Sequence, residues 1–199
     1  MNNSKLNSDK RSGGNTDSTN RSSMGFQTAI NTGMRSSQLM KLFEEELKDI
    51  YWAEKALTKA IPKMIKNART PELIQALTSH LSETENQVNR LKEVFSSLGY
   101  KASTKMCAAM EGLITESEEI MATCEEGPMR DAGIISAAQK VDHYEIATYG
   151  TLRQIAETLG LTQAVQLLQT TLDEEKASDQ KLTEIAIRVV NIRASEEHK

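Results

Sequence analysis

The chain has 199 residues and a mass of 22.1 kDa, with 38% hydrophobic, 26% charged and only 4% aromatic residues. Three prolines and ten glycines supply too few turns for a many-stranded β-sandwich or barrel. The net charge of -4 argues against a general nucleic-acid binder. The sequence has no apolar run of about 18 residues, which argues against a membrane-spanning segment, and two cysteines are too few for a disulfide framework. We therefore expect a cytoplasmic protein with no membrane partner and no specific nucleic-acid partner.

The beginning of the chain differs in composition from the rest. Residues 1–39 contain eight Ser, six Asn and four Gly and carry a net charge of +3, which leaves -7 for the remainder. Because few apolar residues occur there at helical spacing, this segment cannot bury enough surface to offset its ordering entropy. We predict a disordered basic arm over residues 1–37, a possible contact for an acidic partner, and a helical domain over residues 38–194.

Apolar residues recur at helical spacing from Ser37 onward. Ser37 is a suitable N-cap for the first helix, and Pro62 is expected to kink that helix because proline removes an internal hydrogen bond. Thr70 and Pro71 supply an N-cap and a first-turn proline for the second helix. The pattern predicts helices over residues 38–68, 71–99, 106–121, 131–160 and 162–192.

Four of these helices are each roughly 40 Å long, which suits a four-helix bundle. Short turns join the first to the second and the third to the fourth, so each pair is predicted to form an antiparallel hairpin. The long middle connection is a crossover that carries the one shorter helix. The sequence therefore predicts an all-α, ferritin-like four-helix bundle of two antiparallel hairpins.

The two predicted hairpins are related by an internal repeat. Shifting the sequence by 91 residues aligns their apolar positions without a gap, and it places Glu54 on Glu145 and Glu83 on Glu174. Coincident apolar matches are common between amphipathic helices, whereas matched acids within apolar stripes are a more specific signal.

Each long helix carries an acid at a core position. Glu54 and Glu145 interrupt the apolar stripes of the first and third helices, and Glu83 flanks the apolar row of the second. In the fourth helix the repeat favours Glu174, whereas the apolar phase favours Glu175, and both remain open as candidates. All lie 14 or 15 residues from the neighbouring hairpin turn, so we expect four carboxylates at one depth of the core.

Unpaired ionised acids in an apolar core cost several kcal/mol each, and a bound cation removes that cost. Hard oxygen ligands favour iron or manganese, and a carboxylate-bridged pair of ions suits the core of a bundle. The alternative is that these acids lie at the bundle edge and pair with Lys or Arg.

Histidine is scarce, so any metal centre must be built mainly from carboxylates. His80 lies one turn from Glu83 and is either a ligand or a structural histidine, while His143 points elsewhere and His198 lies in the tail. Residues one turn further from the hairpin turns suit outer positions that hydrogen-bond the ligands. These outer candidates are Tyr51, Gln87, Asp142 and Asp179.

Five segments recur in an order that is specific to one family. They are LFEEELKDIYWAEKAL (42–57), HLSETENQVNRLKEVFSSLGY (80–100), CAAMEGLI (107–114), DHYEIATYGTL (142–152) and LDEEKASDQKLTEIA (172–186). Over about residues 38–190 the chain resembles the YciE/YciF-type family of bacterial stress-associated, ferritin-like proteins. The resemblance implies a rubrerythrin-related four-helix fold, a dinuclear metal centre and a homodimer.

The sequence departs from the Glu-x-x-His motif that ferritin-like di-iron sites commonly carry on two helices. It has His80-x-x-Glu83 in the reverse order and Asp142-x-x-Glu145 without a histidine. This departure puts the number and occupancy of the bound ions in question.

Two functional hypotheses follow. The first is a stress-associated protein whose di-iron or manganese centre reacts with dioxygen or peroxide, with or without catalytic turnover. The second is a non-enzymatic, dimeric helical stress or interaction protein in which the acids are structural and the basic arm recruits a partner. An iron-storage shell is weaker, because no sequence feature specifies a large cage.

Overall fold

The computed structural model describes Met1 and residues 37–196, and all regular elements in this part of the chain are helical. The predicted arm and His198 lie outside the described residues, apart from Met1 and Ser37. A π-helical turn, Ala186–Val190, and a short helix α6, Asn191–Glu196, end the described chain. The main helices are α1 (Gln38–Asn67), α2 (Pro71–Ser97), α3 (Ala108–Thr123), α4 (Pro128–Thr158) and α5 (Thr162–Ile185).

The helix ends follow from local sequence. The Ser37 hydroxyl accepts a hydrogen bond from the Met40 amide at 3.1 Å and so caps α1 as predicted. Helix α1 is continuous through Pro62. Gly99 and Gly160 both adopt positive φ angles, 79° and 68°, and end α2 and α4, because glycine reaches this conformation without steric cost.

Some predictions about the helix ends differ from the structure. The Thr70 side chain makes no capping hydrogen bond. Helix α4 begins at Pro128 rather than near Asp131. The fixed φ of proline suits the first position of a helix, so Pro128 starts the helix and does not interrupt it. The last long helix was predicted to run without interruption to Ile192, but its α-helical part ends at Ile185 and a π-helical turn follows.

The bundle has a square arrangement in which α1 packs beside α2 and α4, and α5 packs beside the same two helices. Helices α2 and α4 therefore lie diagonally across the core. Helix α3 lies in the crossover and packs against α4 and α1. The predicted ferritin-like bundle of two antiparallel hairpins with a crossover helix is confirmed.

Apolar side chains fill the space between the helices. Burial of one such side chain contributes roughly 1.5–3 kcal/mol relative to its exposure. No helix among the described residues combines the length and hydrophobicity that a bilayer crossing requires. The largest fully buried side chains are Tyr149, Phe43, Phe95, Leu47, Ile50, Leu57, Leu73, Leu77, Leu91, Met110, Ile134 and Leu152.

A buried carboxylate joins the two hairpins at one end of the bundle. Asp131, in the first turn of α4, is 0% exposed. Its two oxygens accept hydrogen bonds from the backbone amides of Arg69, at 2.9 Å, and Thr70, at 2.7 Å, at the start of α2. This carboxylate satisfies donors at a helix N-terminus, where the helix dipole also favours negative charge.

We predict that Asp131→Ala destabilises the fold by about 2–3 kcal/mol, because it leaves buried amide donors without an acceptor. Urea unfolding followed by circular dichroism should show a lower midpoint with an unchanged slope. Asp173→Ala, at an exposed position of α5, serves as the matched control and should change the midpoint little. Equal midpoints for the two variants would contradict the role assigned to Asp131.

Candidate metal centre

Five ionisable side chains meet in one layer of the core. They come from all four long helices, and we call them the central cluster: Glu54, His80, Asp142, Glu145 and Glu175. The four carboxylic residues are 0% exposed, and His80 is 6% exposed. One potential ligand atom from each member except Glu54 lies within 4.8 Å of the corresponding atoms of the other three.

His80 lies at the boundary between the cluster and the surface. Its Nε2 atom is 3.5 Å from Asp142 Oδ1 and 4.0 Å from Glu175 Oε2. Its Nδ1 atom is directed to the opposite side, where Glu83 Oε2 lies 3.7 Å away. The imidazole therefore presents Nε2 to the carboxylates and Nδ1 to an acid outside the cluster, an arrangement typical of metal-binding histidines.

A tyrosine hydroxyl fixes the orientation of Glu54. The Tyr149 hydroxyl, fully buried on α4, donates a very short hydrogen bond to Glu54 Oε1. Burial raises the pKa of Tyr149 well above its usual range, and the charges of Glu54 and Glu145 act in the same direction. The phenol therefore keeps its proton and acts as a donor, which leaves Glu54 Oε2 available to another group.

On the other side of the cluster, the Gln87 amide and the Arg90 guanidinium hydrogen-bond to the two neighbouring acids of α5. Gln87 Nε2 donates to Glu175 Oε1 at 2.5 Å and to Glu174 Oε2 at 3.1 Å. Arg90 forms a bidentate pair with Glu174 at 2.8 Å and also donates to Thr171. Glu174 is therefore engaged in an ion pair, whereas Glu175 Oε2 remains directed towards the cluster.

Several polar atoms of this layer lack a hydrogen-bond partner among the described residues. A carboxylate oxygen is only an acceptor when ionised, so its burial without a donor is unfavourable. A cation within the cluster would satisfy these oxygens at once, and the donor set of oxygens with one imidazole fits iron or manganese. The atoms concerned are Glu54 Oε2, His80 Nδ1, Gln87 Oε1, both oxygens of Asp142, both oxygens of Glu145, and Glu175 Oε2.

Burial and mutual repulsion change the acidity of the cluster. Burial, with the charge of Glu175 adding to it, raises the pKa of Glu54 to about 8. Burial also raises the pKa of Asp142 to about 7, although the nearby His80 charge opposes this. For Glu145 and Glu175, burial likewise moves the pKa above its usual value. Without a cation, the cluster therefore retains protons at neutral pH.

The pKa of His80 is subject to opposing influences. Burial lowers it, but the adjacent Glu83 and the charges of Glu175 and Asp142 together outweigh burial and raise it to about 9. The imidazole is therefore protonated near neutral pH in the metal-free protein, and metal binding through Nε2 must displace a proton.

The family follows from a comparison of the sequence with known families. Residues 38–195 match the family described as "Domain of unknown function (DUF892)". The chain belongs to this family. The match spans nearly all of the helical domain described above.

Two relatives are similar over most of their length. Protein YciF of Escherichia coli (strain K12) is 46% identical over 162 residues, which cover 81% of this chain and 98% of YciF. The crystal structure of YciF, described as a stress protein, superposes with a TM-score of 0.75 over 78% of this chain and 98% of that one. YcfI of Rhodopseudomonas palustris, described as a structural protein, is 47% identical with a TM-score of 0.72, covering 74% of this chain and 94% of that one.

The structure brings together most of the acids that the sequence singled out. Glu54, Glu145 and Glu175 lie in the cluster with His80, and Asp142 joins them although it was expected at an outer position. Asp142 and Glu145 are three residues apart on α4, and this spacing places both on one helix face. Their role as metal ligands stays a prediction.

Two other candidates lie outside the cluster. The Glu83 side chain is 40% exposed and reaches the cluster only through His80. Glu174 pairs with Arg90, so the helical phase rather than the repeat identified the inward acid of α5.

The outer candidates have different surroundings. Gln87 contacts Glu175 directly, as expected of a residue that orients a ligand. Tyr51 packs edge-to-face against Phe95 at 5.7 Å between ring centroids. Asp179 instead accepts a hydrogen bond from Gln139 at 2.9 Å.

The hydrogen bond from Tyr149 to Glu54 was not predicted from the sequence. The signal for Tyr149 in the sequence is its spacing of four residues from Glu145 on the same helix face.

The raised pKa values predict that the metal-free protein loses stability as pH rises. The pKa of Glu54 is about 8 when folded, against an ordinary 4.5, so the folded state holds the extra proton between these values. His80, with a pKa of about 9 against an ordinary 6.5, acts in the same direction between pH 6.5 and 9. Because one pKa unit corresponds to about 1.4 kcal/mol, the summed loss from about pH 4.5 to 9 should be several kcal/mol.

Thermal unfolding of the metal-free protein from pH 5 to 9 measures this loss directly. Glu145→Gln removes one buried acid with little change of shape, so it should raise Tm more at pH 8 than at pH 5. Glu157→Gln, exposed on the same helix, should leave the pH profile unchanged. A Tm that rises with pH in the metal-free protein would contradict the prediction.

Proposed function

We propose that this chain is a stress-associated, ferritin-like protein whose central cluster holds a pair of iron or manganese ions. The observation that carries the proposal is the layer of five buried ionisable groups with unpartnered oxygens. Such a layer is costly in an apolar core unless a cation compensates it. Relationship to a protein described as a stress protein, YciF, supports the physiological context.

The residues of the central cluster would be the ligands of these ions. His80 Nε2 and the oxygens of Asp142, Glu145 and Glu175 form the set within 4.8 Å. Glu54 Oε2 completes the layer from α1. With carboxylates from three different helices, individual side chains are suited to bridge two ions.

The surrounding residues orient these ligands. Tyr149 fixes one oxygen of Glu54, and Gln87 fixes one oxygen of Glu175, so that the other oxygen of each carboxylate is directed to the centre. Glu83 lies beside His80 Nδ1 and favours the tautomer in which Nε2 is free to bind. Loss of such outer contacts commonly costs 10–100-fold in metal affinity or activity.

A redox-active pair of ions would supply single-electron steps for the reduction of dioxygen or peroxide. The protein contributes an apolar shell, in which the four carboxylates have no exposure to bulk water. Exclusion of water strengthens the electrostatic interactions of the ligands and limits side reactions.

A cytoplasmic location and a homodimeric state are further parts of the proposal. Cys107 and Cys124 are both free thiols, which is consistent with a reducing compartment. Exposed apolar side chains such as Leu42 and Met106, 48% and 56% exposed, offer surface for association with a second copy. The suggested acidic partner of the basic arm remains a separate prediction.

A second candidate is a non-enzymatic structural protein. The observation that favours it is the relative YcfI, which is described as structural. In that case the cluster would hold protons instead of metal, since burial raises the pKa of Glu54 and of Asp142 above their usual values. Metal content therefore separates the two candidates.

We expect purified protein to bind about two iron or manganese ions per chain after anaerobic loading and removal of excess metal. The double variant Glu54→Gln with Glu145→Gln should lose most of this metal, because it removes ligands from two helices. Inductively coupled plasma mass spectrometry measures the stoichiometry, and circular dichroism verifies the fold. Glu85→Gln with Glu157→Gln, at exposed positions of the same bundle, is the control.

Less than about 0.3 ion per chain in the unmodified protein, or equal binding by the double variant and the control, would exclude the metal function. The structural candidate would then be favoured.

Iron(II) added to the protein should be oxidised by dioxygen or peroxide faster with the unmodified chain than with the double variant Glu54→Gln with Glu145→Gln. The reason is that the cluster holds the ions in a preorganised, water-excluding site. Stopped-flow absorbance under each oxidant measures the two rates and identifies the preferred oxidant. Identical rates in both proteins would assign the oxidation to iron outside the cluster.

A further inference from the structure

A surface cleft lies between α2 and α5, directly beside the central cluster. Its volume is about 230 Å³. Its wall includes four small side chains and two potential metal ligands. The lining includes Ala76, Ser79, His80 and Glu83 from α2, and Ala177 and Ser178 from α5.

His80 belongs both to this cleft and to the cluster. Its Nδ1 atom faces Glu83 at 3.7 Å on the cleft side, while Nε2 faces Asp142 at 3.5 Å on the inner side. The four carboxylic members of the cluster are 0% exposed, whereas His80 is 6% exposed. The imidazole is thus the part of the cluster that meets solvent, and it separates the cleft from the buried oxygens.

We propose that this cleft is the route by which divalent cations reach the central cluster. Glu83 is the outer ligand that receives the cation, and the His80 ring is the gate through which the cation passes to Asp142 and Glu175. This inference rests on the proposed metal function, and it assigns to Glu83 a role in loading the site rather than in holding the final ions.

The dimensions and chemistry of the cleft suit a hydrated cation. A cation with six waters occupies roughly 180 Å³, at about 30 Å³ per water, which fits within the cleft of about 230 Å³. The Glu83 carboxylate is 40% exposed, so it is accessible to an incoming ion without local unfolding. It also provides a hard oxygen ligand, of the type that divalent cations prefer.

The number of carboxylates available to a cation increases from the cleft to the cluster. At the surface a cation meets one carboxylate, and behind His80 it meets three. Among the described residues, both oxygens of Asp142, both oxygens of Glu145 and Oε2 of Glu175 have no hydrogen-bond partner. Rotation of one imidazole ring is a small side-chain motion, so the bundle itself can remain closed. The Lys181 side chain also lines the cleft, and its charge opposes the approach of a cation.

Cobalt(II) uptake by the metal-free full chain tests this route, because the visible absorption of bound cobalt reports loading without any turnover. Ala177→Leu and Ser79→Leu each narrow the cleft from one of its walls. Both should slow loading at least tenfold, with final cobalt content and Kd unchanged. Ala109→Leu, at an exposed alanine of α3, is the matched control and should load at the unmodified rate.

Charge changes at the cleft should act in opposite directions. Glu83→Gln should slow loading, because it removes the outer ligand, whereas Lys181→Gln should accelerate loading severalfold at low salt. The acceleration should disappear at high ionic strength.

The outcomes separate the route from the metal function. If the unmodified chain binds no cobalt, both the proposed function and this inference are wrong. If it binds cobalt and the two narrowed variants load at the control rate, the cleft is not the route, and the proposed function stands. A narrowed variant with lowered final cobalt content also overturns the inference, because it would show a defect in the site rather than in access to it.

Discussion

The whole arrangement depends on the electrostatic cost of placing five ionisable side chains in one layer of an apolar core. Isolated buried charges cost several kcal/mol each, and this layer brings three carboxylic residues within 4.8 Å of one imidazole, with Glu54 buried beside them. Protons offset the cost in the metal-free protein, as the raised pKa of Glu54 and of Asp142 indicates. The apolar residues on either side supply stability, and the polar layer determines what the bundle can bind.

Much of the fold was accessible from the sequence because its signals are local. Helical spacing of apolar residues, a short turn within each hairpin, and one long crossover specify the bundle without knowledge of any contact. The π-helical turn at Ala186–Val190 was not predicted, because an extra residue in one helical turn leaves the apolar pattern almost unchanged.

The site was harder to predict, because neighbouring helices decide which acid points inward. Glu174 and Glu175 differ by about 100° around α5, and only the position of Arg90 on α2 shows that Glu174 is engaged elsewhere. The repeat was misleading here because the two halves differ at the cluster. A shift of 91 residues places Thr84 on Glu175, so the first hairpin has a buried threonine where the second hairpin has an acid. The candidate ligands are therefore concentrated in the second hairpin.

The Asp131 contact has a consequence for the geometry of the cluster. From Arg69 to His80 is eleven residues along α2, and from Asp131 to Asp142 is eleven residues along α4. At about 1.5 Å per residue, both helices advance roughly 16 Å from the same contact before His80 and Asp142 meet. These helices lie diagonally and run in the same direction, so Asp131 sets their relative axial position. The alignment of the ligands is therefore established at the end of the bundle, and a change of length in the loop before α3 need not disturb it.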